Sequence, residues 1–140
     1  MSIVHGAAGV QWFCHRFMPD FSETDCLDDS ATAAALAQIN AQLTGLAPIL
    51  NTQSFSLTAL SANANVPVHA VLKQHGAERY VFAVSMADGA TTARFPLAGI
   101  RAPTSIEVIG EGRNLTPTPS DDGYFEDAFA AYEVHLYHLH

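Results

Sequence analysis

A chain of 140 residues fits one domain, and at this size about two-thirds of the unfolded surface can be buried, so a core needs no staples. Charged residues are 14% of the chain, against about 25% in an average soluble domain, so polar cover is scarce and bare apolar faces are costly. Fourteen acidic and six basic residues give a formal charge of −8, which repels a phosphate backbone and argues against a general nucleic-acid role.

The opening segment, MSIVHGAAGVQWFCHRF, has neither a positive n-region nor an unbroken apolar h-region. No apolar run approaches the roughly 20 residues that span a bilayer. A soluble, cytoplasmic protein with no membrane partner is the expectation. Residues 10–14, short, aromatic and opened by Gly6 and Gly9, predict a strand. Cys14 and Cys26 are too few for a disulfide framework and form no CxxC pair; they are expected as two buried or half-buried thiols.

Residues 18–29 are polar and acidic and predict a loop, after which Ser30 is placed to cap a helix with Asp28 and Asp29 near its positive end. Leu36, Ile39, Leu43, Leu46 and Leu50 recur at three and four residues, which puts them on one helical face, and Gly45 with Pro48 should end the helix near residue 46. From Thr52 the apolar period changes to two. Residues 66–72 and 79–84 read as a hairpin about the turn Gln74–His75–Gly76–Ala77, further strands fit 91–97, 105–109 and 132–139, and the alternation over 125–140 reads as one closing strand that runs to the last residue. The predicted architecture is mainly β: an antiparallel β-sandwich over 52–140, preceded in 1–51 by a strand, an acidic loop and one amphipathic helix, packed as one unit.

The order of these pieces resembles the end of a TIM-barrel glycoside hydrolase with a C-terminal β-sandwich. HGAAGVQWFCHRF is similar to a last barrel strand, ATAAALAQINAQLTGLAPILN to a last barrel helix, and ERYVFAVSMADGATTARFPLAG, IEVIGEGRN and FEDAFAAYEVHLYHLH to the sandwich. One departure is Ser85, where related sandwiches often carry Asn. The resemblance implies that the acid and nucleophile carboxylates, at the ends of the fourth and seventh barrel strands, would lie upstream of residue 1. A barrel lacking most of its strands cannot close. The remaining strand and helix then need cover from the sandwich, from a second copy, or from an apolar small-molecule ligand, and a homo-oligomer through that surface is expected. A second resemblance, carried by no motif, is to small, environmentally derived hydrolases of N-acyl-homoserine lactones that are distantly glycosidase-like and calcium-linked. It implies quorum quenching by lactone opening.

Lactone or ester opening needs an activated water and an oxyanion stabiliser. His15, at the end of the barrel-like strand, is the candidate general base, with Trp12, Phe13 and Phe17 as candidate pocket lining. Calcium favours six to eight oxygen ligands, so Asp121, Asp122, Glu126 and Asp127 are the candidate metal ligands, with Asp20, Glu23, Asp25, Asp28 and Asp29 as a second acidic group; neither has EF-hand spacing. On the closing strand His138 and His140 share a face, able to hold a softer metal, and His135 points the other way, but the sequence places no third ligand. No GxSxG elbow is present, and Gly110–Glu111–Gly112–Arg113 sits in a β-turn context without the helix a phosphate loop requires. Two functions remain: an accessory sandwich inactive on glycosides alone, or a small calcium-assisted lactone or ester hydrolase.

Overall fold

In the computed structural model, which describes residues 1–97, 105–119 and 123–140, the alternating segments form antiparallel strands in two facing sheets. The elements are α1 (Asp25–Asp28), α2 (Ser30–Leu50), β1 (Ser54–Leu57), β2 (Leu60–Ser61), β3 (Val68–His75), β4 (Glu78–Ser85), β5 (Thr91–Pro96), β6 (Ile106–Val108), β7 (Arg113–Leu115), β8 (Tyr124–Phe129) and β9 (Val134–Leu139). The larger sheet has the order β1-β3-β4-β9-β6-β7 and the smaller β2-β5-β8. The mainly β sandwich expected from the sequence is the architecture observed.

The core lies between the sheets. Val81, Ile106, Val108 and Tyr137 of the larger sheet form one cluster with Ala93, Phe95, Phe125 and Phe129 of the smaller. Phe95 faces Phe125 across the β5/β8 ladder with ring centroids 4.7 Å apart, and Tyr137 meets Phe125 edge-on at 5.0 Å. Each such side chain, fully buried, contributes roughly 1.5–3 kcal/mol. Backbone geometry also dictates sequence here. A Cβ on Gly89 would sit 2.7 Å from Val66 Cγ2, and Gly76 opens the two-residue β3–β4 turn at φ 64.

The 125–140 segment, which alternates as if it were a single strand, is two. Between Phe129 and Val134 the chain turns through Tyr132 at φ 55, leaving the smaller sheet for the larger. β9 then inserts between β4 and β6, in the interior of the larger sheet. Period alone does not reveal this, because the apolar alternation resumes after the turn.

Four expectations at the N-terminal end are corrected. Residues 10–14 form no strand; the only pairing described there is an isolated bridge between Arg16 and Ser22, since no neighbouring strand is available to hold a ladder. Cys14 and Cys26 are joined in a disulfide, their Cα atoms 5.0 Å apart, rather than free. The cap of α2 is Asp29, whose carboxylate accepts from the Thr32 N–H at 2.9 Å; the Thr32 side chain and then that N–H hold its carboxyl below the usual range. Lastly, α2 passes Gly45 and Pro48 and ends at Leu50, with Asn51 N–H bonded to the Ala47 carbonyl. Pro48 forfeits one helical donor, a tolerable loss in the last turn.

At 21 residues α2 is long and apolar enough to cross a membrane by length and composition. Thr32, Gln38, Asn40, Gln42 and Thr44 interrupt its apolar residues, so no unbroken apolar run marks it in the sequence. Here the helix lies along the outer face of the larger sheet: Leu43, Leu46 and Leu50 line a cleft with Phe82 and Leu136, while Ile39 is 40% exposed. Its far end is tied down by Lys73 of β3, 7% exposed, whose ammonium donates to the Leu50 carbonyl at 2.7 Å and the Thr52 carbonyl at 2.9 Å. A cation at a helix C-terminus satisfies carbonyls that have no intrahelical donor.

Candidate functional site

Three places bring chemistry-bearing side chains together. The first is the N-terminal segment. Trp12 donates its indole N–H to Asn40 Oδ1 of α2 at 3.1 Å, which anchors the segment to the helix. His15 stands exposed among aromatic rings, 4.8 Å from Phe13 and 6.1 Å from Phe21 by centroid, and Phe17 lies 6.1 Å from Phe13. Phe13 is 73% and Phe17 66% exposed. The structure gathers His15, Phe13 and Phe17 into one apolar surface patch; Trp12 is held apart by its bond to the helix.

The clefts are lined by other residues. One of about 390 Å³ lies between α2 and the sheet, with Ile3, Leu43, Leu46, Phe82 and Leu136 on its walls and Glu111 at its border. Another of about 440 Å³ follows the segment 6–10 to the end of α2 and Lys73. A groove of about 590 Å³ holds the pair His5 and His69, whose Nε2 and Nδ1 are 3.0 Å apart.

The second place is the acidic segment near the chain end. Asp121 and Asp122 lie outside the described residues. Glu126 accepts from Arg94 Nε at 2.8 Å on the surface of the smaller sheet. Asp127, 9% exposed, is saturated with donors. It accepts from Arg113 Nη1 and Nη2 at 2.9 and 2.7 Å, from the Tyr137 hydroxyl at 3.0 Å and from the Ala128 N–H at 2.9 Å. Arg113 continues through Nε to Glu111 at 2.8 Å, and the other Glu111 oxygen lies 2.5 Å from Nδ1 of His135.

The electrostatics of this network follow from its contacts. Burial raises the Glu111 carboxyl, but bonds from His135 and Arg113 outweigh it and the net direction is down. Arg113 is pushed up mainly by its bond to Asp127, and Tyr137 is pushed up by burial and then by the Asp127 charge, which keeps its hydroxyl a donor. The network is a polar clamp between the sheets, because Arg113 belongs to β7 and Asp127 to β8. Glu126 and Asp127 do not converge on a common point: in β8 they alternate faces, one exposed and one buried.

The third place is the outer face of the larger sheet. His138, His140 and Glu78 offer ligand atoms within 4.8 Å of one another. His135 points into the sandwich, 4% exposed, against Phe129. The division of the three histidines between faces follows from strand alternation, whereas Glu78 as their third partner does not, since it requires β9 to lie beside β4.

No family model matches the chain. No curated protein matches it. Among solved structures, the chain is similar to a variant of AmyP in complex with maltotriose, with a TM-score of 0.55 and 16% identity over 77% of this chain and 21% of that one. The chain thus spans about a fifth of the length of the structure it matches. At this identity, what the two share is a fold.

Proposed function

We propose that the chain is the β-sandwich region of a glycoside hydrolase, structural in role and inactive on glycosides by itself. The observation that carries this reading is the fold shared with part of a sugar-bound protein over 77% of this chain. The fate of the clustered carboxylates supports it: Asp25 pairs with Arg16, Asp29 caps α2, Glu126 pairs with Arg94 and Asp127 with Arg113. Glycoside hydrolysis needs two carboxyl groups flanking an open bond site, not groups already held by cations or by a helix end. The test is incubation of the purified chain with aryl glycosides and maltotriose. No sugar is released on this reading; release that tracks the protein through purification overturns it.

Self-association belongs to the same proposal. Phe13, Phe17 and Phe21 present an exposed apolar surface that a charge-poor chain would cover with a second copy. Light scattering at high micromolar concentration should show a dimer or larger; a monomer removes this part.

A second reading, calcium-assisted opening of N-acyl-homoserine lactones or related esters, draws on one observation. The apolar cleft under α2 has the volume and lining to take an acyl chain. Its test is lactone opening with and without calcium and with His15→Ala. Opening equal to a buffer blank in every arm eliminates it.

A further inference from the structure

The outer-face cluster on β9 combines features that an ordinary solvated strand end does not. β9 lies between β4 and β6, so His138 is directly opposite Tyr80 on one side and Glu107 on the other. The Tyr80 ring stacks on the His138 imidazole, centroids 4.5 Å apart and planes 11° from parallel, which fixes the plane of the histidine ring. His138 is 17% exposed and sends Nε2 to Glu78 Oε2 at 2.5 Å, while Nδ1 faces Glu107 Oε2 at 3.9 Å. His140, two residues on and on the same face, meets His138 with ring centroids 4.0 Å apart and planes tilted by 50°, and its Nε2 lies 3.6 Å from Glu107 Oε2.

We propose that Glu78, His138 and His140 form a binding site for a divalent ion of the zinc class, with Glu107 facing the rear nitrogen of His138. Two imidazoles and one carboxylate make a donor set that suits zinc, and imidazole also suits copper and nickel, whereas calcium and magnesium call for oxygen ligands. With zinc–ligand bonds of about 2.0–2.1 Å, tetrahedral ligand atoms sit roughly 3.3 Å apart. The 4.8 Å spread therefore closes by about 1.5 Å, and the 2.5 Å Glu78–His138 contact opens by about 0.8 Å, through rotation of the half-exposed Glu78 and His140 side chains. His138, braced by Tyr80, need not move.

Glu107 faces the second nitrogen of His138 at 3.9 Å, on the side where a metal-bound histidine ordinarily meets a carboxylate. Two carboxylates, Glu78 and Glu107, face the imidazoles, so the charge around the site favours a cation. Three strands of one sheet carry Glu78, Glu107 and His138, and His140 follows β9 by one residue, its backbone N–H bonded to the Ser105 carbonyl at 3.0 Å. Three protein ligands leave the fourth position of the ion open to water.

The experiment is calorimetric titration of the full chain with zinc chloride, repeated with cobalt(II) to read the coordination from its visible spectrum. Wild type should take up one equivalent in a four-coordinate site. His138→Gln, His140→Gln and Glu78→Gln should each weaken uptake at least tenfold. Thermal unfolding of each variant without metal controls for folding, and the half-exposed His140 is the substitution least able to disturb the sheet. Substituting His5→Ala separates this site from the His5–His69 pair and should leave uptake unchanged. The proposal is overturned if wild type takes up no zinc, if uptake persists undiminished in His138→Gln and His140→Gln, or if it disappears only with His5→Ala.

Discussion

Arg113 and Asp127 face each other across the two sheets in a bidentate pair, with contacts of 2.9 and 2.7 Å, and the Tyr137 hydroxyl closes on the same carboxylate. Aligned donors on both oxygens make this a strong polar tie between the sheets. Asp127→Asn removes the charge and turns one acceptor into a donor that faces Arg113. A loss of about 2 kcal/mol is expected, since hydrogen bonds to charged groups are worth roughly 1.5–3 kcal/mol and Arg113 keeps some access to water. Urea unfolding of the two proteins measures it. Calcium added to either should leave the midpoint unchanged, because Asp127 is already fully occupied.

Glu111 makes the clamp sensitive to acid. Its folded carboxyl lies below the ordinary value of 4.5. A depressed carboxyl contributes stability that is present above the unfolded value and lost as pH falls through the folded one. The wild type should therefore lose stability below about pH 4.5, and Glu111→Gln should flatten that limb while starting from a lower plateau. Unfolding midpoints measured from pH 7 down to pH 3 decide the matter; parallel curves for the two proteins would count against the assignment.

Lys73 couples α2 to the sheet through two carbonyls. Lys73→Met keeps the apolar stem and removes both donors, leaving half-buried carbonyls without their cation. About 1–2 kcal/mol should be lost, concentrated at the helix end. Hydrogen exchange should accelerate in residues 43–52 with little change in β4 and β9.

Ser85 is fully buried at the end of β4, and its hydroxyl oxygen has no hydrogen-bond partner among the described residues. Ser85→Ala removes an unpaired polar atom at nearly constant volume, so stability should hold or rise by up to about 1 kcal/mol. A fall in the thermal midpoint would show that the oxygen has a partner in solution.

The Cys14–Cys26 link predicts that native protein takes up no thiol-alkylating reagent, and that reduction exposes two reactive thiols. Closing a short loop removes about 3 kcal/mol of chain entropy from the unfolded state, so reduction should loosen the N-terminal segment first. Mass spectrometry of alkylated protein before and after reduction tests both points.

Local pattern was enough for the sandwich, for Leu43, Leu46 and Leu50 as the sheet-facing side of α2, though not for Ile39, and for the division of His135 from His138 and His140, because a strand or helix places its side chains by its own period. The same rule misled at residues 10–14, where an aromatic run had strand character but no neighbour with which to make a ladder, and at 125–140, where alternation continued across a change of sheet. Cap identity was missed by one residue, since Asp29 and Ser30 are both competent and only the backbone angles choose between them. What tertiary structure alone decided are the long-range meetings: Lys73 with the end of α2, Arg113 with Asp127, and Glu78 and Glu107 around His138. Each joins residues from elements whose adjacency depends on sheet order, and above all on β9 entering between β4 and β6. Period fixes which face a side chain takes; it carries no information about which strand will lie alongside.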